Sequence, residues 1–262
     1  MSDALRYEWV RLRTLRSTYW LTGLSIVIAA LLGLFALTFS GKEPFTVIDY
    51  GDLLEGGPGT ALLGIFMGLI GVFSIGHEYR YGTIRPTLGA IPRRSHLMAA
   101  KVLVVIGYSV VVGFICLVVR YLVALLILGS KLTDVGLFPH PIGRVFVGII
   151  GYVAVYALVG FAIASLTRSI PAAIVTLVVF PLVFENVIRG LLTIHALRSI
   201  RGAAKFLPFS AGSQVYSHNV LDASVPSGFR ELPGPWGGAL IFFVFMLILL
   251  TAAWAFFEKR DA

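Results

Sequence analysis

The chain has 262 residues, 58% hydrophobic and only 13% charged, with a net charge of +8. A soluble domain carries about 25% charged residues, so this chain cannot cover a water-facing surface and a soluble enzyme or binding module is excluded. The positive charge follows the connections between apolar runs, which argues against nucleic acid, and the single Cys116 allows no intrachain disulfide.

Residues 1–18 predict an amphipathic interfacial helix. Leu5, Trp9 and Leu12 recur at i, i+4 and i+7, with Arg6, Arg11, Arg13 and Arg16 around them, a pattern suited to an anionic membrane surface. A span needs about 20 apolar residues. Six runs qualify: 19–39, 60–76, 102–128, 145–166, 172–192 and 238–257. The second is short and borrows polar neighbours; the third is long enough to tilt or project. Only helices satisfy their own backbone groups in lipid without closing a barrel. The expected fold class is therefore all-α polytopic, one transmembrane domain over 1–262. Gly64, Gly68 and Gly71 give the second run a close-packing face, and Gly160 with Ala164 does so for the fourth. Pro171 suits the first turn of the fifth helix, and Pro181 predicts a kink within it.

The connection 77–101 is basic and broken by Gly and Pro. It holds Arg80, Arg85, Arg93, Arg94 and Lys101, with Glu78 its only acid. Such a loop belongs at a membrane surface. Two readings are open: a solvated basic loop, or a short helix over 83–88 that docks on a partner. Charges also fall inside the spans: Arg120 in the third, Glu185 and Arg189 at i, i+4 in the fifth. Glu185 either pairs with Arg189 on its own helix or bridges to Arg120, which lies at comparable depth. In the connection 193–237, Ile194, Leu197, Ile200 and Ala204 share one face, and Arg198, Arg201 and Lys205 another. That predicts a short interfacial or re-entrant helix.

Lys and Arg in the connections place both termini and 77–101 inside, about twelve against about seven on the positive-inside count. Catalytic signals are missing. No G-x-x-x-x-G-K-[ST] loop is present, Tyr81 stands where a second zinc-binding His would follow His77-Glu78, and His77, His96, His140, His195 and His218 lack ligand spacing. No catalytic, cofactor-binding or metal-ligating residue is expected in this chain.

The stretch Glu78-Tyr79-Arg80-Tyr81-Gly82-Thr83-Ile84-Arg85, followed by Leu88, Pro92-Arg93-Arg94 and Lys101, resembles the E-x-x-x-G-T-x-R…L…P-x-R…K pattern of ABC-2 type permeases, the membrane subunits of bacterial ABC exporters. Leu207-Pro208-Phe209-Ser210-Ala211-Gly212 is similar to a stretch many members carry before the last span. The resemblance implies a multi-pass protein of the bacterial cytoplasmic membrane and a dimer of permeases. It also implies a separate ATPase subunit that binds ATP and Mg. Glu78, Gly82, Thr83, Ile84, Arg85, Leu88 and Arg94, with Arg168 in the tight turn after the fourth span, would be its coupling residues. The absence of a polar row through the spans favours an amphipathic cargo: lipid-like, drug or peptide. A secondary transporter or channel, or a membrane anchor or sensory subunit, is the alternative without an ATPase.

Overall fold

The computed structural model describes residues 2–41, 44–56, 58–90, 94–136, 139–140, 142–192, 202–217 and 234–259. Every regular element among them is helical. Helix α1 (Ser2–Thr14) leads into α2 (Arg16–Leu34), which tightens into a 3-10 turn over Phe35–Phe39. Then come α3 (Val47–Glu55), α4 (Pro58–Tyr81), α5 (Ile84–Ala90), α6 (Arg94–Leu128), α7 (Ser130–Val135) and α8 (Ile142–Thr167). Helix α9 (Ile170–Val179) continues through a π turn (Phe180–Phe184) into α10 (Glu185–Leu192), and α11 (Pro208–Ser213) precedes α12 (Pro235–Lys259). Among the described residues six stretches are long and apolar enough to cross a membrane: Arg16–Phe39, Val47–Tyr81, Arg94–Leu128, Ile142–Thr167, Ile170–Leu192 and Pro235–Lys259. The six apolar runs of the sequence fall on these.

Two elements depart from the sequence reading. Residues 77–81, read there as loop, continue α4 as helix, so the break between α4 and α6 begins only at Gly82. The acidic segment before α4 folds as α3. Thr46 caps it: the Asp49 amide donates to Thr46 Oγ1 (3.3 Å) and the Thr46 amide donates to Asp49 Oδ2 (2.8 Å), a reciprocal box that satisfies two orphan donors. Gly56, at φ +57°, ends it. Helix α1 forms, but its buried positions are Ala4, Glu8 and Leu12, while Trp9 is exposed. Its packed stripe therefore keeps Leu12, and Leu5 in part, from the stripe predicted for a lipid surface but takes in Glu8 instead of Trp9. The helix expected around Ile194, Leu197 and Ile200 lies outside the described residues.

The centre is the crossing of α4 and α8, which contains no side chain at its tightest points. A β-carbon on Gly71 would collide with the Ala157 carbonyl, and one on Gly160 with the Gly68 carbonyl. Gly64 and Gly68 face the rings of Tyr152 and Tyr156. Small residues let backbones approach where lipid offers no hydrophobic drive for association. The close-packing faces predicted for these two helices thus meet each other within the chain. Farther along, Pro181 cannot donate to a helical carbonyl and the turn widens, the Glu185 amide reaching back to the Phe180 carbonyl. Such an inserted residue is a known cause of helix bending. Here it turns Glu185 inward, although Leu182, Val183, Phe184 and Val187 around it are exposed.

Gly160→Val is expected to cost about 1–3 kcal/mol or more of stability, because a backbone carbonyl must shift to admit it. Gly151→Ala, whose β-carbon would meet nothing within 4 Å, should melt like the parent. Thermal unfolding in detergent compares the two.

Candidate functional site

One end of the bundle, the basic end, carries the α4–α5–α6 connection. Here α1, α4 and α6 share a cluster of four charges. Lys101 Nζ donates to Glu8 Oε1 and Glu78 Oε1, both at 2.7 Å. Arg11 NH1 lies 3.1 Å from Glu8 Oε2 and 2.6 Å from Glu78 Oε1. Lys101, Glu78 and Glu8 are buried. Charge balances within the cluster, which is what a set of ions removed from water requires. Glu78 Oε2 is buried without a hydrogen-bond partner among the described residues.

The short helix expected over 83–88 is α5, Ile84–Ala90. Gly82 takes φ +67° to turn the chain out of α4, a conformation that glycine adopts without strain. Thr83 supplies the carbonyl that accepts from the Thr87 amide (3.2 Å) and hydroxyl (2.9 Å). Ile84 and Thr87 are buried, and Arg85 is exposed. The Thr87 hydroxyl lies 3.5 Å from the Tyr7 hydroxyl of α1. Leu88 belongs to α5, and its side chain lies outside the described residues.

Not all the residues predicted for partner contact are available for it. Ile84, expected to offer an apolar surface to a partner, is 6% exposed and packs into this chain's own core. Arg94 donates at 3.4 Å to the carbonyls of Phe257 and Glu258, at the last turn of α12, where orphan carbonyls and the helix dipole favour a cation. Arg168 has φ 51° in the α8–α9 turn and stands 5.4 Å over the ring of Tyr79. That contact brings the turn to the end of α4. Glu78 points inward to Lys101 and Arg11. The sequence reading missed Glu8; its signal was an acid three residues before Arg11 on a helix otherwise rich in arginine.

At the opposite, far end, Arg120 is wholly buried. Its NH1 donates to the Leu54 carbonyl, and NH1 and NH2 lie 3.3 and 3.4 Å from Thr60 Oγ1. Thr60 Oγ1 in turn donates to the Glu55 carbonyl at 2.7 Å. Arg120 thus caps the C-terminus of α3, the negative end of its dipole. Among the described residues no carboxylate lies within ion-pair distance of it. Tyr216 is near, and burial pushes its hydroxyl above the ordinary tyrosine range, so it stays neutral.

Glu185 is 1% exposed and accepts from the Phe209 amide (2.9 Å), the Ser210 amide (2.7 Å) and the Ser210 hydroxyl (2.6 Å). It is a cap supplied from another helix to the first turn of α11, inside the Leu207–Gly212 motif. Arg189 NH1 lies 3.3 Å from Ser210 Oγ, so Glu185 and Arg189 meet through Ser210. The bridge from Glu185 to Arg120 does not form. The π turn at Pro181 directs Glu185 onto α11, and α3, invisible to the sequence reading, offers its carbonyls to Arg120. Helix α11 is held closely: a β-carbon on Gly212 would press on Phe242, and one on Gly238 would collide with the Ala211 carbonyl. Phe209 packs within 6.0 Å, centroid to centroid, of Tyr156, Phe180, Phe242 and Phe245.

These features define a polytopic helical membrane protein with a charged hub at one end and a capped, inserted helix at the other. Residues 4–183 match the family described as ABC-2 family transporter protein, and the chain belongs to that family. At family level it is an ABC permease, a multi-pass membrane protein. The match takes in the charge cluster, α5 and Arg120, and ends just before Glu185. Comparison with curated proteins finds no match.

Lys101→Met leaves Glu8 and Glu78 sharing only Arg11. Breaking a buried ion set costs about 3–5 kcal/mol, and the remaining arginine lowers that figure. Arg6→Gln, exposed on the same helix, should stay within about 0.5 kcal/mol of the parent in the same unfolding experiment. For Arg120→Gln and Glu185→Gln, each should destabilise, and the double variant should equal their sum within about 0.5 kcal/mol, because the two share no partner. A coupling energy above about 1 kcal/mol would contradict the separate caps.

Proposed function

We propose that this permease is the membrane subunit of an ATP-driven exporter in the bacterial cytoplasmic membrane. Both termini are cytoplasmic, and two permease copies work with separate ATPase subunits that bind ATP and Mg. Its cargo is amphipathic: lipid-like, drug or peptide. One observation carries the reading. Helix α5 hangs between the two spans whose ends share the four-charge cluster, with Ile84 and Thr87 turned into the protein and Arg85 turned out. A partner pushing on α5 acts on α4 through the Gly82 turn and on α1 through Thr87 and Tyr7. The cluster then ties those movements to α6. Arg168, over Tyr79, gives the α8–α9 turn a second contact beside the first. Placing this end inside the cell agrees with the excess of Lys and Arg there. Helix α1, with Arg6 and Arg13 exposed, lies at the inner surface, where anionic lipids attract them.

Arg85→Glu reverses the charge that α5 presents. A like-charge contact in place of a complementary one weakens docking by about tenfold or more. With the co-purified ATPase in nanodiscs, stimulated ATP hydrolysis should fall and the apparent Kd for the ATPase should rise, with unfolding temperature unchanged. Unaltered stimulation, or cargo movement by the permease alone in liposomes, would refute the coupling reading.

A further inference from the structure

Between α8 and α12, at the far end, lies a cavity of about 360 Å³. Gly151 and Val155 line it from α8, Trp236, Leu240 and Phe243 from α12, and Val215 lines it on the side nearer the far end. Gly151 creates the space, since a β-carbon there would meet nothing within 4 Å. The opening is sideways: Trp236, Leu240 and Phe243 are exposed. Both walls belong to membrane-crossing stretches, so hydrocarbon is the medium at the opening. Ligand-sized cavities begin near this volume.

The rim supplies the polar half of the argument. Arg144 lies on the same face of α8 as Gly151 and Val155, about 10 Å nearer the far end. Its guanidinium donates to the Val215 carbonyl at 3.3 Å and the Ser217 carbonyl at 2.7 Å, which are neutral acceptors. Among the described residues no carboxylate lies within ion-pair distance, and Glu55 acts on it only at longer range. Trp236 sits in the first turn of α12, and an amphipathic ring of this kind settles at the level of lipid headgroups. A cation and an interfacial indole above an apolar slot complement an amphiphile with an anionic head.

We propose that this cavity holds one acyl chain of an anionic membrane phospholipid, its phosphate against Arg144. The assignment rests on the membrane-spanning fold and stands apart from the ATP-driven reading. Its consequence is local: the chain lies against Tyr152 and Phe242, and Phe242 in turn packs on Phe209 of α11.

Trp236 is the reporter for the test. In a full-length variant with Trp9, Trp20 and Trp254 changed to Phe, Trp236 fluorescence is read in vesicles containing phosphatidylglycerol or phosphatidylcholine brominated on the acyl chain. Phosphatidylglycerol should quench with about fivefold higher relative affinity, the preference that one arginine confers on an anionic lipid. Gly151→Leu, which fills the slot, should abolish the preference while the unfolding temperature is kept; Ala239→Phe, on the α12 side of the lining, serves as a second filling variant if that protein is unstable. Arg144→Gln should leave quenching but remove the difference between headgroups. Equal quenching by both lipids, or a preference that survives filling, would overturn the proposal. So would protection of Trp236 from both lipids, which would mean that residues 218–233 or a second copy of the chain covers the slot.

Discussion

Glu8, Arg11, Glu78 and Lys101 form the interaction on which the basic end depends. Each sits on a helix that packs on its neighbours largely through apolar contacts, and such contacts tolerate sliding. Charges taken from water do not. The low-dielectric surround strengthens their attraction and raises the cost of separation, so the cluster selects one arrangement of α1, α4 and α6 over the many that apolar packing permits. That the helix carrying Glu8 is also the one reached by Thr87 of α5 makes the N-terminal segment part of the bundle's frame.

The far end answers the same constraint with backbone. Arg120 takes carbonyls from the C-terminus of α3, and Glu185 takes amides from the N-terminus of α11. A cation at a helix C-terminus and an anion at an N-terminus are the two favourable placements in a helix dipole. In each case the buried charge stabilises a short helix that could not stand alone, since isolated helices of six or nine residues are marginal in water. The charge and the short helix are mutually dependent: removing either strands the other's polar groups where water does not reach.

Much of this was legible from the chain. Apolar run length gave the spans, Gly68 and Gly160 marked close-packing faces though not that these would meet each other, and Pro181 marked the distortion in the fifth span. What could not be read was the partner of each buried charge. Matching Arg120 with Glu185 by depth treated spans as rods and loops as blank. Helix α3 lies between two apolar runs, where no element was expected, and Asp49 is part of its capping box. Glu8 was hidden among the arginines of a helix judged by its apolar stripe alone. Local periodicity reports which face is buried; it does not report which backbone ends a distant segment will deliver to that face.

Between the two polar ends runs the α4–α8 pair, and its geometry decides what the ends can say to each other. With Gly68 and Gly160 in backbone contact, no layer of rotatable side chains is present to absorb a displacement of one helix along the other, and close-packed interiors transmit strain. A push delivered to α4 at Gly82 or Glu78 is therefore carried into α8. The middle of α8 bears Tyr156, 5.0 Å from Phe209, and Tyr152, 5.1 Å from Tyr216 and 5.4 Å from Phe242. Tyr156 and Phe242 hold Phe209 of α11 between them, and two amides of α11 are committed to Glu185 on a different helix. Movement of α8 relative to α10 must then either carry α11 with it or break the cap. On the coupling reading, α11 is the element at which work done at the basic end is felt at the far one.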